Sequence, residues 1–201
     1  MGASAQGYRM VVVGVSAGGL SALRTLVGGL PAGFGLPVAV VQHRSKDSEL
    51  LCELLQECTA LEVGEVNDKE EVRAGRVYVA PPDYHLLAED GFFSLSTDAP
   101  VRYSRPSIDV LFDSASDVYG PDLIGVVLTG ANADGSRGLR RIVDQGGYAV
   151  VQDPGTAEVR MMPQAAAKAV PEACVLPLDA IGPHLASIRG RRVPPCRGAR
   201  A

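Results

Sequence analysis

Short apolar runs alternate along this chain with segments whose apolar residues recur every three or four positions. The runs are four to seven residues long and rich in valine, isoleucine and leucine; they occupy residues 10–13, 38–41, 77–80, 123–129 and 148–151. Such runs are typical of parallel strands covered on both faces, and the spacing between them is typical of amphipathic helices. The pattern predicts an α/β fold, a doubly wound, mostly parallel sheet with helices on both faces.

One segment interrupts this alternation. Residues 86–88 and 92–95 are two short apolar runs separated by Glu-Asp-Gly, which predicts an inserted β-hairpin. Neither a repeat nor a linker divides residues 9–188, so we expect one domain there. Residues 189–201 carry five arginines and no acidic residue, and we expect a basic, disordered tail.

Charge and composition narrow the class of protein. The net charge is −4, and residues 1–188 alone carry 14 basic against 23 acidic side chains, which with so short a basic tail argues against nucleic-acid binding. The chain lacks both an apolar run of membrane-spanning length and a signal pattern, so we expect no membrane insertion and a cytoplasmic location. The four cysteines lack metal-ligand spacing, so we expect reduced thiols, no metal and no cofactor.

A glycine-rich turn that contains one serine follows the first predicted strand. Gly14-Val15-Ser16-Ala17-Gly18-Gly19 precedes a helix, whose first N–H groups can bind an oxyanion or a phosphate. A dinucleotide-binding loop needs glycine in place of Ser16 and an acidic residue about 20 positions later. The spacing also matches the nucleophile elbow of α/β-hydrolases, although that fold needs an earlier strand. A tight turn with a capping serine is the structural alternative.

A histidine and an aspartate follow two other predicted strands. His43 ends the run at 38–41, and Asp134 lies in the glycine-containing loop after the run at 123–129. Neighbouring parallel strands end at the same edge of a sheet, so Ser16 and His43 are expected side by side. Serine, histidine and aspartate together can carry out acyl transfer, with histidine as the base and aspartate orienting it. A structural histidine and a helix-capping aspartate are the alternatives.

Six ordered blocks resemble the catalytic domain of chemotaxis protein-glutamate methylesterases, the CheB type, across roughly residues 9–188. The blocks are 14–19, 41–43, 79–86, 105–112, 128–138 and the Gln-Asp and Met-Pro pairs within 152–163. The resemblance implies that Ser16 is the nucleophile, His43 its base and Asp134 the orienting acid. It further implies an oxyanion hole formed by the backbone N–H groups of Ala17 and Ala131.

The chain departs from the usual pattern of this family at three places. Ala17 stands where threonine is common, Arg44 where methionine is common, and Ala131-Asn132 where methionine and glycine are common. We expect Arg44 and Asn132 at the mouth of the site, where they would affect the choice of substrate. His85 is a third candidate for the cleft wall, with a structural role as its alternative.

The resemblance implies a serine hydrolase that removes methyl groups from glutamate methyl esters, and deamidates glutamines, on the cytoplasmic helices of chemoreceptors. Its expected partner is a methylated chemoreceptor or another methylated protein. Family members usually carry an N-terminal receiver domain, but only about ten residues precede the first predicted strand. We therefore expect either a catalytic domain separated from its receiver domain or a stand-alone domain that a separate partner could regulate. The alternatives are an esterase outside chemotaxis and a catalytically idle module that binds methylated or acidic peptide.

Overall fold

The computed structural model describes residues 7–43, 50–190 and 192–193. Its strands are β1 (Met10–Val15), β2 (Val38–Gln42), β3 (Glu62–Glu65), β4 (Arg76–Val79), β5 (His85–Ala88), β6 (Phe93–Ser96), β7 (Leu123–Val127), β8 (Tyr148–Gln152) and β9 (Cys174–Leu176). Its helices are α1 (Gly19–Gly28), α2 (Leu51–Gln56), α3 (Ile108–Tyr119), α4 (Ser136–Asp144), α5 (Met161–Ala169) and α6 (Leu178–Ile188).

Seven of the strands form one sheet in the order β3-β4-β2-β1-β7-β8-β9. Every pairing in this sheet is parallel. Strands β5 and β6 form a separate antiparallel hairpin. The predicted α/β fold with an inserted hairpin is therefore confirmed.

Each face of the sheet is covered by its own apolar cluster. Along β1, Val11, Val13 and Val15 belong to the cluster that includes α1, α2 and α6. Met10 and Val12 belong to the opposite cluster, which includes α3, α4, α5 and the hairpin. Side chains alternate between the faces of a strand, so a strand covered on both faces must be apolar at every position. This requirement explains the continuous apolar runs in the sequence.

The chain order of the sheet reverses at β1, which lies between β2 and β7. The register places Val15 beside Gln42 and Gly14 beside Val127. The segments that follow these three strands therefore leave the sheet at the same edge, next to one another. In open α/β sheets a crevice forms at this position and commonly holds the functional site.

One strand of the sheet was not predicted from the sequence. Strand β3 reads Glu-Val-Gly-Glu and lies at the edge of the sheet, with both glutamates exposed. An edge strand of this kind has no apolar run to reveal it. Helix α2 is only six residues long and buries only Leu51 and Leu55.

The disulfide bond of Cys174 also departs from the expected reduced thiols.

The start of the expected tail contacts the domain. Arg192 Nε donates to Asp122 Oδ1 at 3.0 Å, and the Val193 N–H donates to the hydroxyl of Tyr8 at 3.2 Å. These two positions are therefore hydrogen-bonded to the domain, while residues 191 and 194–201 lie outside the described part of the chain. No helix in the described ranges is both long and apolar enough to cross a membrane.

Candidate active site

Asp134 is almost completely buried at the edge of the sheet, with 2% of its surface exposed. Its Oδ1 accepts hydrogen bonds from the Ser107 hydroxyl and from the N–H groups of Asp109 and Gly135, each at 3.0 Å. Its Oδ2 accepts from the Ile108 N–H at 2.7 Å. Asp134 thus binds the first turn of α3, rather than acting as the cap of its own helix.

The surroundings of Asp134 favour its ionised form. Burial by itself raises the pKa of this carboxyl, but hydrogen bonds from His43 and from the Ile108 and Asp109 N–H groups outweigh it. The pKa of Asp134 is therefore lower than its ordinary value. The positive end of the α3 dipole acts in the same direction. A buried, ionised carboxylate is a strong partner for a histidine that gains a proton during catalysis.

His43 lies directly after β2, and its Nε2 is 2.8 Å from Oδ2 of Asp134. Because an ionised carboxylate only accepts hydrogen bonds, Nε2 carries a proton in the neutral ring. Nδ1 then holds the in-plane lone pair, which a general base needs. Nδ1 lies 3.2 Å from Nδ2 of Asn132.

Ser16 lies directly after β1, next to His43 in the parallel register. Its backbone is held on both sides: its N–H donates to the carbonyl oxygen of Thr129 at 3.0 Å, and its own carbonyl oxygen accepts from the Gly19 N–H at 2.9 Å. The N-cap of α1 is Gly18, with a φ of 75° and no side-chain capping bond. Ser16 is therefore not the capping serine of the structural alternative.

The structure brings the predicted triad together only in part. His43 and Asp134 are hydrogen-bonded, and Ser16 is their neighbour along the sheet edge. Within the described part of the chain, the Ser16 hydroxyl makes no hydrogen bond to His43 or to any other group. The expected Ser16–His43 bond is thus not formed among the described residues, and the Asn132 amide lies 3.2 Å from Nδ1, the nitrogen expected to take the serine proton.

The two N–H groups expected to form the oxyanion hole belong to exposed residues. Ala17 and Ala131 both face solvent, and neither N–H donates a hydrogen bond within the described residues. The following peptide is held in place, because the Thr129 hydroxyl donates to the Ala17 carbonyl oxygen at 2.9 Å. Free N–H groups on a rigid turn are suited to binding an oxyanion.

The three candidates for the cleft differ in position. His85 is 2% exposed; its Nδ1 accepts from the Ser107 N–H at 3.1 Å, and its Nε2 is 3.2 Å from the Ala99 carbonyl oxygen. It starts the hairpin and braces the start of α3, rather than lining an open cleft. Asn132 contacts the His43 ring instead of standing at the mouth. Arg44 lies outside the described residues.

Two positions beside the predicted triad were missed by sequence reasoning. An open groove in front of Ser16 is lined by Leu20, Gln42 and Glu158 among others. Glu158 lies in an irregular loop more than 140 positions after Ser16, and no periodic signal in the sequence reveals its place. Ser107 was visible in a family-like block, but its bond to Asp134 depends on how α3 packs.

Within the described residues, no group of three His, Cys, Asp or Glu side chains is arranged to hold a metal ion.

Close packing restricts the loops behind Ser16. A Cβ atom added at Gly130 would lie 2.9 Å from the Ser16 Cβ and 2.6 Å from the Met162 Cε. A Cβ atom at Gly14 would lie 2.3 Å from the Cγ2 of Ile108, which begins α3. The glycines therefore allow α3 and the Gly130 loop to approach the reactive edge, and this approach brings Asp134 within reach of His43.

Comparison with known proteins identifies a family model, related sequences and a related structure. Residues 11–185 match the family model described as CheB methylesterase. A relative from Leptospira interrogans is 50% identical over 177 residues, which are 87% of this chain and 91% of the relative. Protein-glutamate methylesterase/protein-glutamine glutaminase 2 of Paramagnetospirillum magneticum is 45% identical over 89% of this chain and 51% of its own length.

The crystal structure of the CheB methylesterase catalytic domain of Thermotoga maritima superposes with a TM-score of 0.86 and 34% identity. The match covers 90% of this chain and 98% of that domain. Fold and overall sequence thus agree over nearly the whole described domain. The chain belongs to the CheB methylesterase family.

Proposed function

We propose that this chain hydrolyses glutamate methyl esters and deamidates glutamines on methylated chemoreceptor helices, with Ser16, His43 and Asp134 as its reacting group. The observation that carries this proposal is the 2.8 Å hydrogen bond between His43 and the buried Asp134, formed beside Ser16 at the edge of the sheet. The curated relative of Paramagnetospirillum magneticum is named for both activities.

The first half of the reaction forms an acyl-enzyme. The Ser16 Oγ attacks the ester carbonyl carbon while Nδ1 of His43 takes the hydroxyl proton. The N–H groups of Ala17 and Ala131 hold the oxyanion that develops on the carbonyl oxygen. When the C–O bond to the methoxy group breaks, His43 returns its proton and methanol leaves.

The second half regenerates the enzyme. His43 takes a proton from water, which attacks the acyl carbon, and collapse of the second oxyanion breaks the bond to Ser16 Oγ. Ser16 recovers its proton, and the product is a glutamate carboxylate. With a glutamine side chain the leaving group is ammonia, and the remaining steps are the same. The reaction uses these side chains, backbone N–H groups and water.

The negative charge of Asp134 supports both halves of the reaction. In each tetrahedral state His43 is an imidazolium, which the adjacent ionised carboxylate stabilises. Its low pKa keeps Asp134 ionised throughout the neutral range. Because the first turn of α3 also holds the carboxylate, Asp134 keeps the ring of His43 in one tautomer and one orientation.

The partner in this proposal is a methylated chemoreceptor or another methylated protein. The catalytic domain would meet it in the cytoplasm, where receptor methylation helices lie, and a separate protein could regulate access. The chain spans most of the Leptospira interrogans relative but half of the Paramagnetospirillum magneticum one. Proteins that contain this domain therefore occur at both lengths.

Methanol release tests the activity itself. The protein is incubated with a methylated receptor fragment, and methanol is measured for the wild type, for Ser16→Ala and for Ser187→Ala. Ser187 is exposed on α6 and serves as the matched control. We expect release by the wild type and by Ser187→Ala only. Binding of the methylated fragment without methanol release by the wild type would favour the idle binding module.

A further inference from the structure

The neutral imidazole of His43 offers one lone pair, and that lone pair is already occupied. Nε2 must carry the ring proton because it lies 2.8 Å from the ionised carboxylate of Asp134. Nδ1 is then the acceptor, and Asn132 Nδ2 lies 3.2 Å from it. A single in-plane lone pair accepts one good hydrogen bond, so the Ser16 hydroxyl and the Asn132 amide compete for the same position.

The Asn132 side chain cannot exchange its two ends freely. Its Oδ1 accepts from the Asp134 N–H at 3.0 Å, which leaves Nδ2 facing His43. Turning the amide around would place its NH₂ group against that backbone N–H and its carbonyl oxygen against the Nδ1 lone pair. Both contacts are repulsive, so the amide remains a donor to the ring.

We propose that Asn132 is a positioning residue that occupies the proton-accepting nitrogen of His43 in the resting enzyme and must release it before Ser16 can transfer its proton. The proposal rests on the proposed roles of Ser16 and His43. It explains why the Ser16 hydroxyl makes no hydrogen bond within the described part of the chain, although it lies beside the histidine in the register.

The contact also acts against the charged form of the ring. When His43 takes a proton, its Nδ1–H points at the NH₂ group of Asn132, so two donors face each other. Asn132 therefore stabilises the neutral ring and opposes the imidazolium that forms in each tetrahedral state. Its removal should speed the chemical step and should also make the ring easier to protonate before substrate binds.

Two substitutions of Asn132 separate this role from simple support of the fold. Asn132→Ala removes the donor, and Asn132 is not among the described residues with positive φ, so alanine fits its backbone. Asn132→Asp keeps the shape and the bond to the Asp134 N–H but replaces the NH₂ group with an oxygen that can accept from the imidazolium. Asp134, which is bonded to the ring, and Glu158, which lines the groove in front of Ser16, are unchanged in all three proteins.

The test is the pH profile of kcat for a small activated ester. We expect Asn132→Ala to raise the plateau of kcat about fivefold, the factor that corresponds to one neutral hydrogen bond. We also expect its acid limb to move up by about half a pH unit, and that of Asn132→Asp to move further because of the added charge. KM should change little, since the contact is made with the base rather than with the ester.

A residue that only supports the loop gives a different result. In that case Asn132→Ala lowers kcat and leaves the acid limb in place, and this outcome overturns the proposal. Nitrogen NMR of the His43 ring tests the same contact without turnover, in substrate-free Ser16→Ala protein. Adding Asn132→Ala to this protein should move the titration of the ring to higher pH. An unchanged titration contradicts the proposal. Turnover by folded Ser16→Ala would instead overturn the proposed function while leaving this NMR comparison valid.

Discussion

The imidazole of His43 and the carboxylate of Asp134 are joined across 91 positions of sequence by a 2.8 Å hydrogen bond between Nε2 and Oδ2. The bond exists because β2 and β7 flank β1 and deliver the segments that follow them to one edge of the sheet. Asp134 is held there by the first turn of α3 as well. The orientation of the base thus depends on a helix that contributes no reacting group.

Replacement of Asp134 by asparagine should inactivate the enzyme while leaving the protein folded. Asparagine removes the negative charge that stabilises the His43 imidazolium and allows the wrong ring tautomer. We expect kcat for methyl-ester hydrolysis to fall about a thousandfold or more. Circular dichroism should show an unchanged fold. A folded Asp134→Asn protein with near-normal kcat would contradict the role given to this carboxylate.

The same carboxylate should make stability depend on pH. The pKa of Asp134 is lowered in the folded protein, so its contribution is fully present above the unfolded pKa of about 4 and is lost as the pH falls through the folded pKa. Denaturant unfolding at a series of pH values should therefore show a wild-type advantage over Asp134→Asn that shrinks below about pH 4. Ser187→Ala, which changes an exposed residue of α6 and removes no ionisable group, is the control. An advantage that grows on acidification would contradict the low pKa.

Gly130→Ala should disturb the nucleophile directly. The added methyl group would meet the Met162 Cε at 2.6 Å and the Ser16 Cβ at 2.9 Å, so the loop or Ser16 must move. We expect kcat to fall at least about tenfold, because small misplacements of reacting groups are costly. Gly33→Ala is the matched control, since a Cβ there has no neighbour within 4 Å. Equal kinetics for the two variants would show that the Gly130 contact does not position Ser16.

Glu158 should affect the choice of substrate through its charge. Its carboxylate lies in the groove in front of Ser16, where it repels acidic residues around the target ester. We expect Glu158→Gln to lower KM for an acidic methylated peptide about twofold to fivefold at low salt, with little change for a small neutral ester. The difference should diminish at high salt. A change of KM that is equal for both substrates would leave Glu158 without this role.

From the sequence we can predict which residues lie at this edge of the sheet, but not which contacts their side chains make there. Ser16, His43 and Asp134 each follow a strand that is marked in the sequence by an apolar run, because both faces of the sheet are covered. The edge that they share can therefore be predicted from these apolar runs and from the connections between the strands. The bonds of Asp134 to α3 depend on how a helix 26 positions earlier packs against the loop, which leaves no periodic signal. Asn132 was placed near the site, but its contact with Nδ1 depends on the orientation of one amide.

His85 shows that the position of a residue along the chain does not by itself predict whether its side chain lines the cleft. It comes soon after β4, which suggested a place beside the cleft, but it belongs to the hairpin and is buried against the start of α3. Strand β3 was missed for a related reason, since its edge position allows glutamates where a central strand needs apolar side chains. Both differences come from tertiary packing rather than from local sequence preference.

Covalent labelling of Ser16 tests the central claim most directly. A fluorophosphonate reacts with an activated serine: Oγ bonds to phosphorus, fluoride leaves, and His43 takes the proton. Mass spectrometry of the digested protein should locate one adduct on Ser16, and His43→Ala should abolish the adduct while the fold is retained. An adduct on a different serine, or ester hydrolysis by a folded protein in which Ser16 stays unlabelled, would contradict Ser16 as the nucleophile.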